Sequence, residues 1–310
     1  MYSYTIKRLF QGVITIWFIA TATFVAMHSV PGDPLINERG VNEEIRQNLE
    51  ERYGLDRPVF EQYLIYMGNM ARGDFGISFT QQNRSVNDII REHFPVSAAL
   101  GILAIVFAGI GGVLWGALTA LYRNRLPDVI IMFLVILGIS VPSFVIAALG
   151  QLALVSLNGF VGFSILPVAG WGTVLHMLVP SLVLGLSTMA FLTRLMRSSM
   201  LEIINADFVR TAYSKGLPPT RVFMKHQLRN AILPVITVLG PAIAAITTGG
   251  FVVELVFAIP GLGRFFVQAV QQLDYTVIMG TTVFYGAFLV FMVIAVDLVY
   301  GFVDPRVRVE

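Results

Sequence analysis

The chain has 310 residues, 56% of them hydrophobic and only 13% charged, with a mean hydropathy of +0.75. A soluble domain carries roughly a quarter charged residues, so this composition points to a membrane protein. Zero cysteines exclude disulfides and thiolate metal sites, and the net charge of +2 carries meaning only through where the charges fall.

A helix needs about 20 apolar residues to span the ~30 Å hydrocarbon layer. Six stretches meet that length: Leu9–Val30, Val96–Leu121, Val129–Leu157, Thr173–Phe191, Val235–Phe257 and Val277–Phe302. A β-barrel would show ~10-residue alternating segments instead, and no such alternation is visible. The expected fold class is an all-α polytopic membrane protein with six transmembrane helices. The first stretch follows Lys7 and Arg8. It is too long for a signal-peptide core and no small-residue cleavage site follows it, so it is expected to stay as an anchor.

Six crossings put 1–8, 122–128, 192–234 and 303–310 on one side of the membrane. These segments hold Lys7, Arg8, Arg123, Arg125, Arg194, Arg197, Arg210, Lys215, Arg221, Lys225, Arg229, Arg306 and Arg308 against only Asp128, Glu202, Asp207, Asp304 and Glu310. Cytoplasmic loops collect Lys and Arg, so both termini and the 192–234 segment are expected in the cytosol. The opposite segments, 31–95, 158–172 and 258–276, hold 8 basic and 12 acidic residues.

The domain plan follows in chain order. Residues 1–30 form the N-terminal end and first span. Residues 31–95 form an extracytoplasmic helical segment, opened by the turn "PGDP" (31–34). Within it, "NEEIRQNLEERYGL" (42–55) has Ile45, Leu49 and Tyr53 at i, i+4, i+8, with Gly54 at the C-cap position. "RPVFEQYLIYMGNMARG" (57–73) reads as a second helix started by Pro58. Residues 96–302 form a five-helix core, and 303–310 a cytoplasmic tail.

Within the core, Ala108, Gly112 and Gly116 recur every four residues, the small-residue face that lets membrane helices approach closely. "GISVPS" (138–143) places Pro142 inside the third span, where the missing N–H kinks a helix. "GPAIAAITTGG" (240–250) joins small residues to the hydroxyls of Thr247 and Thr248. Such a run suits close packing and pathway lining equally. Glu254 introduces "VELVFAIPGLG" (253–263), a re-entrant-looking turn, and is a gate candidate. Asp297 lies near the inner end of the sixth span, where pairing with a loop cation is the simpler role.

Enzyme signatures are missing. "DFG" (74–76) stands without a nucleotide loop or catalytic loop. There is no G-x-x-x-x-G-K-[ST], so the chain has no P-loop for ATP. His28, His93, His176 and His226 lack ligand spacing, and the glycosylation pattern at Asn83 is too common to use. Nothing points to nucleic acid.

The segment "ADFVRTAYSKGLPPTRVFMKHQLRNAILP" (206–234) is the strongest signal. Asn205 is a candidate N-cap for a helix through Lys215. Gly216 supplies a left-handed end, Pro218 and Pro219 bar continuation, and Thr220 is placed to cap a second helix. Phe208, Tyr213, Leu217, Val222 and Phe223 give this hairpin more apolar surface than a loop needs, which points to a protein partner. An ion-coupled secondary carrier would show mid-bilayer ionisable residues and internal repeats, of which there is little. A membrane receptor would need a signalling domain.

The same stretch resembles the cytoplasmic loop of type I permease subunits in bacterial ABC importers. Arg210 to Gly216 and Arg229 to Pro234 carry the form typical of the oligopeptide/dipeptide branch. Arg210 and Thr211 stand where the broader family has Glu-Ala-Ala. "RYGLDRPVFEQYL" (52–64), "GDFG" (73–76), "GISVPSF" (138–144), "IPGLG" (259–263), "DYTVIMG" (274–280) and "DPRVR" (304–308) are similar to that branch as well. The resemblance implies a type I ABC importer transmembrane fold in the bacterial cytoplasmic membrane. The implied partners are a second homologous permease, two ATPase subunits that hold ATP and magnesium, and an extracytoplasmic peptide-binding protein. This chain itself would hold no cofactor and no metal. The loop 197–234 would dock an ATPase through a coupling helix around Gly216–Phe223. Asp207, Arg210, Thr211, Ala212, Lys215, Gly216, Leu217, Pro218, Arg221 and Phe223 are the expected docking residues. Relatives that import dipeptides, glutathione or nickel share most of these motifs.

Overall fold

Long apolar runs fold as helices in lipid because each backbone polar group must be satisfied within its own segment. The computed structural model describes residues 2–29, 57–81 and 84–303, with side chains at all of these except 2–5, 248–249 and 297–303. The turn at 31–34, the helix expected over 42–55 with its Gly54 cap, Asn83, the tail 304–310 and the side chains of Thr248 and Asp297 lie outside the described residues.

The helices are α1 (Tyr2–Ser29), α2 (Val59–Ala71), α3 (Val86–Leu121), α4 (Leu126–Ser140), α5 (Ser143–Val161), α6 (Val174–Ile204), α7 (Asp207–Ser214), α8 (Pro219–Ala231), α9 (Leu233–Gly249), α10 (Phe251–Val256), α11 (Leu262–Gln272) and α12 (Tyr275–Val303). Five of them, α1, α3, α5, α6 and α12, are long and apolar enough to cross a membrane, and the pair α8–α9, bent by 46° between its two helices, adds a sixth only where it is counted as one span. The expected third span is two helices. Val141 is extended (ψ 126°) and Pro142 caps α5, because the residue before proline avoids the helical region. The kink expected at Pro142 is therefore a full break.

The chain divides into two compact units, residues 1–96 with 260–310, and residues 97–259. In the first, α1 and α12 touch through glycine. A Cβ on Gly12 would lie 2.8 Å from Val290, and one on Gly286 would lie 2.7 Å from Ile19. The α2 helix packs on α1 through Phe24, which meets Tyr63 edge-on and stacks on Tyr66. Thr21 shares a 2.9 Å hydrogen bond with the Tyr63 hydroxyl, and His28 Nε2 shares one of 3.0 Å with Gln62. Burial pushes the Tyr66 phenol well above the ordinary tyrosine range, and its hydroxyl has no hydrogen-bond partner among the described residues.

The "DFG" stretch is a turn in this unit, with Asp74 Oδ1 accepting from the Gly76 amide. The strand-like segment after it is held by Asp274, 1% exposed at the start of α12. Asp274 accepts from the Ser78 and Thr80 hydroxyls, from the Phe79, Thr80 and Val277 amides, and from the Thr276 hydroxyl.

In the second unit the small-residue stripe does what its spacing predicts. A Cβ on Gly112 would sit 2.5 Å from Leu192 Cβ, and one on Gly116 would sit 2.6 Å from Met196 Cβ. A side chain there would force α3 and α6 apart. Gly185 lies against the Ala104 carbonyl in the same crossing. On another part of α3, Gly101 receives Thr247 of α9. With 31 residues, α6 is about 46 Å long at 1.5 Å per residue. It therefore runs well past the ~30 Å layer and past the expected end at Phe191. Its last turns lead into the 205–234 segment.

Candidate docking hairpin and pathway residues

The hairpin is built from the turn outward. Asn205 ends α6 as its C-cap, and Ala206 precedes α7, so Asn205 is not the N-cap expected from its residue type. Gly216 has φ +74°. The Gly216 amide donates to the Tyr213 carbonyl (2.9 Å) and the Leu217 amide reaches back to the Ala212 carbonyl (3.3 Å). This is a Schellman end, whose usual accompaniment is an apolar contact from the residue after the glycine. Leu217 makes that contact, packing with Val209, Ala212 and Val222. Pro218 is extended (φ −65°, ψ 145°) and caps α8, with Pro219 in its first turn. Thr220 thus lies inside the helix it was expected to cap.

Three nearly fully buried residues, Val209, Ala212 and Val222, hold the two arms together. Burying a valine is worth about 1.5–3 kcal/mol. The Asp207–Arg210 ion pair, 3.8 Å apart with side chains 99% and 74% exposed, is worth a few tenths of a kcal/mol at most for such a surface pair. The apolar contacts decide the fold of the hairpin, and both charges stay free for an external partner.

This division separates the expected docking residues. Asp207, Arg210, Thr211, Lys215, Gly216, Pro218 and Arg221 are exposed and form the surface around the turn. Ala212 faces inward, as does Val222. Leu217 is half-buried. Phe223 packs against the cluster formed by Leu192, Met196 and Met200 of α6 with Ala231 and Val235, so it faces the helix core. Phe208 and Tyr213 remain exposed at 43% and 47% and supply the apolar part of the free surface. Residues Val222–Leu228 of α8 form a π-helix, a wide turn that sequence periodicity does not announce.

Three of the pathway candidates, Pro142, Thr247 and Glu254, lie at different elements. Pro142 is exposed at the α4–α5 break. Thr247 is 4% exposed, and its hydroxyl donates to the Ile243 carbonyl of its own helix (2.7 Å). Its methyl abuts Gly101. Glu254 is 2% exposed on α10, beside Gly250. The turn after it uses Ala258 in the left-handed region (φ 52°), and the Ile259 amide closes it on the Glu254 carbonyl (2.8 Å). A cavity of about 690 Å³, lined among others by Trp115, Leu137, Val141, Leu149 and Met189, lies along the α4–α5 break. Among the described residues no group of three or more His, Asp or Glu is placed to hold a metal.

One constellation escaped sequence reasoning. Arg197 Nε and Nη2 donate to Asp128 Oδ1 and Oδ2, each at 2.8 Å, and Asp128 is 4% exposed. The amide of Asn124, itself left-handed at φ 61°, donates to Asp128 Oδ2 at 2.9 Å. Sequence counted both partners only as loop charges. A separation of 69 positions along the chain leaves no local pattern to read.

The long apolar helices and the basic, apolar-cored hairpin are assigned by comparison with known proteins. The family of binding-protein-dependent transport system inner membrane components matches residues 112–309. The N-terminal part of binding-protein-dependent transport system membrane components matches residues 1–101. The chain belongs to this family. As an inner-membrane transport component it is a multi-pass cell-membrane protein and a transport subunit, not an enzyme. It is 46% identical to the dipeptide transport system permease protein DppB of Bacillus subtilis, over 100% of this chain and 99% of that one. It is 39% identical to the oligopeptide transport system permease protein OppB of Haemophilus influenzae, and 36% identical to that of Escherichia coli. Each match spans 99% of this chain and the whole relative. Among solved structures, the MetNI methionine ABC transporter in an inward-facing form superposes with a TM-score of 0.51 at 18% identity, covering 71% of this permease and 95% of that chain. That likeness concerns the fold alone, and it agrees with the importer transmembrane fold expected from the sequence.

Proposed function

We propose that this permease is one half of the translocation pathway of an ATP-driven peptide importer. Its companion half is a second, homologous permease. Two ATPase subunits supply ATP and magnesium, which this chain has no P-loop to bind. A peptide-binding protein delivers substrate at the face opposite the hairpin. Both termini and the hairpin lie in the cytosol, as the distribution of Lys and Arg favours.

The observation that carries this reading is the hairpin. It combines an exposed rim of Asp207, Arg210, Thr211, Lys215, Pro218 and Arg221 with a buried apolar interior of Val209, Ala212 and Val222. The exposed Phe208 and Tyr213 offer an ATPase groove apolar area, and the rim offers charge. When the ATPase pair closes on ATP, the hairpin moves and α6, continuous with it, carries the motion into the membrane. Substrate selection rests mainly on the binding protein. The higher identity to a dipeptide permease than to the oligopeptide permeases favours short peptides.

The test is purification of the permease with its companion subunits and reconstitution into liposomes. Retained ATPase and ATP-dependent uptake of labelled di- and tripeptides are expected. Uptake by the permease alone, driven by an ion gradient, would overturn the reading.

A further inference from the structure

We propose that the Asp128–Arg197 pair is a mechanical tie that makes α4 move with the docking hairpin, and so sets how efficiently ATP hydrolysis drives transport. The proposal rests on the importer reading above.

Two faces of α6 are gripped within one turn. Met196 and Met200 sit in the cluster with Ala231 of α8 and Val235 of α9. Arg197, about 100° further round the helix, holds Asp128 of α4. Apolar contacts of the first kind resist separation but permit sliding. The second contact is different. A guanidinium fork on both oxygens of one carboxylate fixes orientation as well as distance, and the Asn124 amide on the same carboxylate fixes the turn that leads into α4. With Asp128 4% exposed and the Arg197 side chain 24% exposed, the carboxylate is the shielded partner, and losing the guanidinium leaves that buried charge unpaired.

The tie is also placed to act along α4. Ser187 Oγ of α6 donates to the Gly138 carbonyl of α4 at 3.0 Å. The pairs 128–197 and 138–187 are each ten residues apart on both helices, so the two helices run antiparallel. They are fixed to each other at two points about 15 Å apart. Beyond the second point α4 ends at the Ser140–Pro142 break. A displacement of the hairpin is carried by α6 to α4 as a strut, and the break is where the strut can swing.

The test compares wild type with Asp128→Asn, Arg197→Lys and Asp128→Asn/Arg197→Gln in the complete complex reconstituted into liposomes. Two quantities are read: ATPase retained per permease, and peptide moved per ATP hydrolysed. Asp128→Asn keeps the shape and the Asn124 contact. We expect ATPase retention within about twofold of wild type and a fall of about tenfold in peptide per ATP, the size expected for a coupling residue. The double variant should fall no further than the single one, because the two groups act as a unit. Arg197→Lys, which keeps the charge and loses the fork, should fall between. Unchanged peptide per ATP in Asp128→Asn overturns the tie. So does a loss of transport that merely follows loss of assembled complex, since the pair would then only hold the fold. A wild-type complex that retains no ATPase and moves no peptide overturns the importer reading itself, independently of the variants.

Discussion

Valine at position 216 probes the hairpin turn most sharply, because the structure separates its possible costs. A Cβ added to Gly216 meets nothing within 4 Å, so no clash is involved. The cost is in the backbone. At φ +74° an L-residue pays about 1–2 kcal/mol in the left-handed region, with a β-branched residue at the upper end. If the chain escapes that strain, it loses the Leu217 amide bond to Ala212 and withdraws Leu217 from Val209 and Val222. Opening of the turn is then favoured by about 2 kcal/mol, roughly thirtyfold in population. Amide hydrogen exchange of Leu217 in the purified complex reads this opening, and ATPase retention reads its consequence. Gly216→Val should raise the exchange rate by about tenfold or more and lower retention. Gly216→Asn, which tolerates the left-handed region, should do much less of both. Equal effects of valine and asparagine, or lost retention with unchanged exchange, would refute the backbone argument and place the glycine's role in direct contact with the partner.

Gly112→Val should destabilise the α3–α6 crossing by about 1–3 kcal/mol, the cost of overpacking, since its first carbon would already lie 2.5 Å from Leu192 Cβ. Thermal unfolding in detergent measures this. Asp274→Ala removes the acceptor of hydroxyls and amides from two distant segments and should cost about 3 kcal/mol or more through the donors left buried. Faster proteolysis within 73–85 would report it. Tyr66→Phe removes a hydroxyl without a partner among the described residues and should leave thermal stability equal or higher by up to about 1 kcal/mol. Because burial raises the Tyr66 phenol, its neutral form is the one that folds. Its contribution is complete below the ordinary tyrosine value of about 10 and is lost as pH rises above it. Tyr66→Phe should remove that alkaline loss.

Much of the architecture is legible in the sequence because lipid makes the rules simple. Apolar length gives α1, α3, α6 and α12, four-residue spacing gives the Ala108–Gly116 contact face, and Gly216 with Pro218 gives the hairpin turn. The misses have physical causes. Pro142 reads as a kink, but the extended residue before it makes a break. Asn205 and Thr220 look like N-caps by residue type, yet α6 runs on to Ile204 and prolines already preset the start of α8. Apolar residue type also cannot say which way a short helix faces: Val222 turned into the hairpin, Phe223 toward the α6 cluster, and Phe208 stayed out. The carboxylates that fasten the structure, Asp128 and Asp274, meet partners 69 and nearly 200 residues away. Only the folded chain brings them together.

The most direct test of the central claim is ATP-dependent uptake of a labelled dipeptide by liposomes holding this permease with its companion permease, ATPases and binding protein. Accumulation that requires ATP and the binding protein, and that is abolished when the ATPases are left out, is the expected result. Accumulation that persists without ATP or without the ATPases would contradict it.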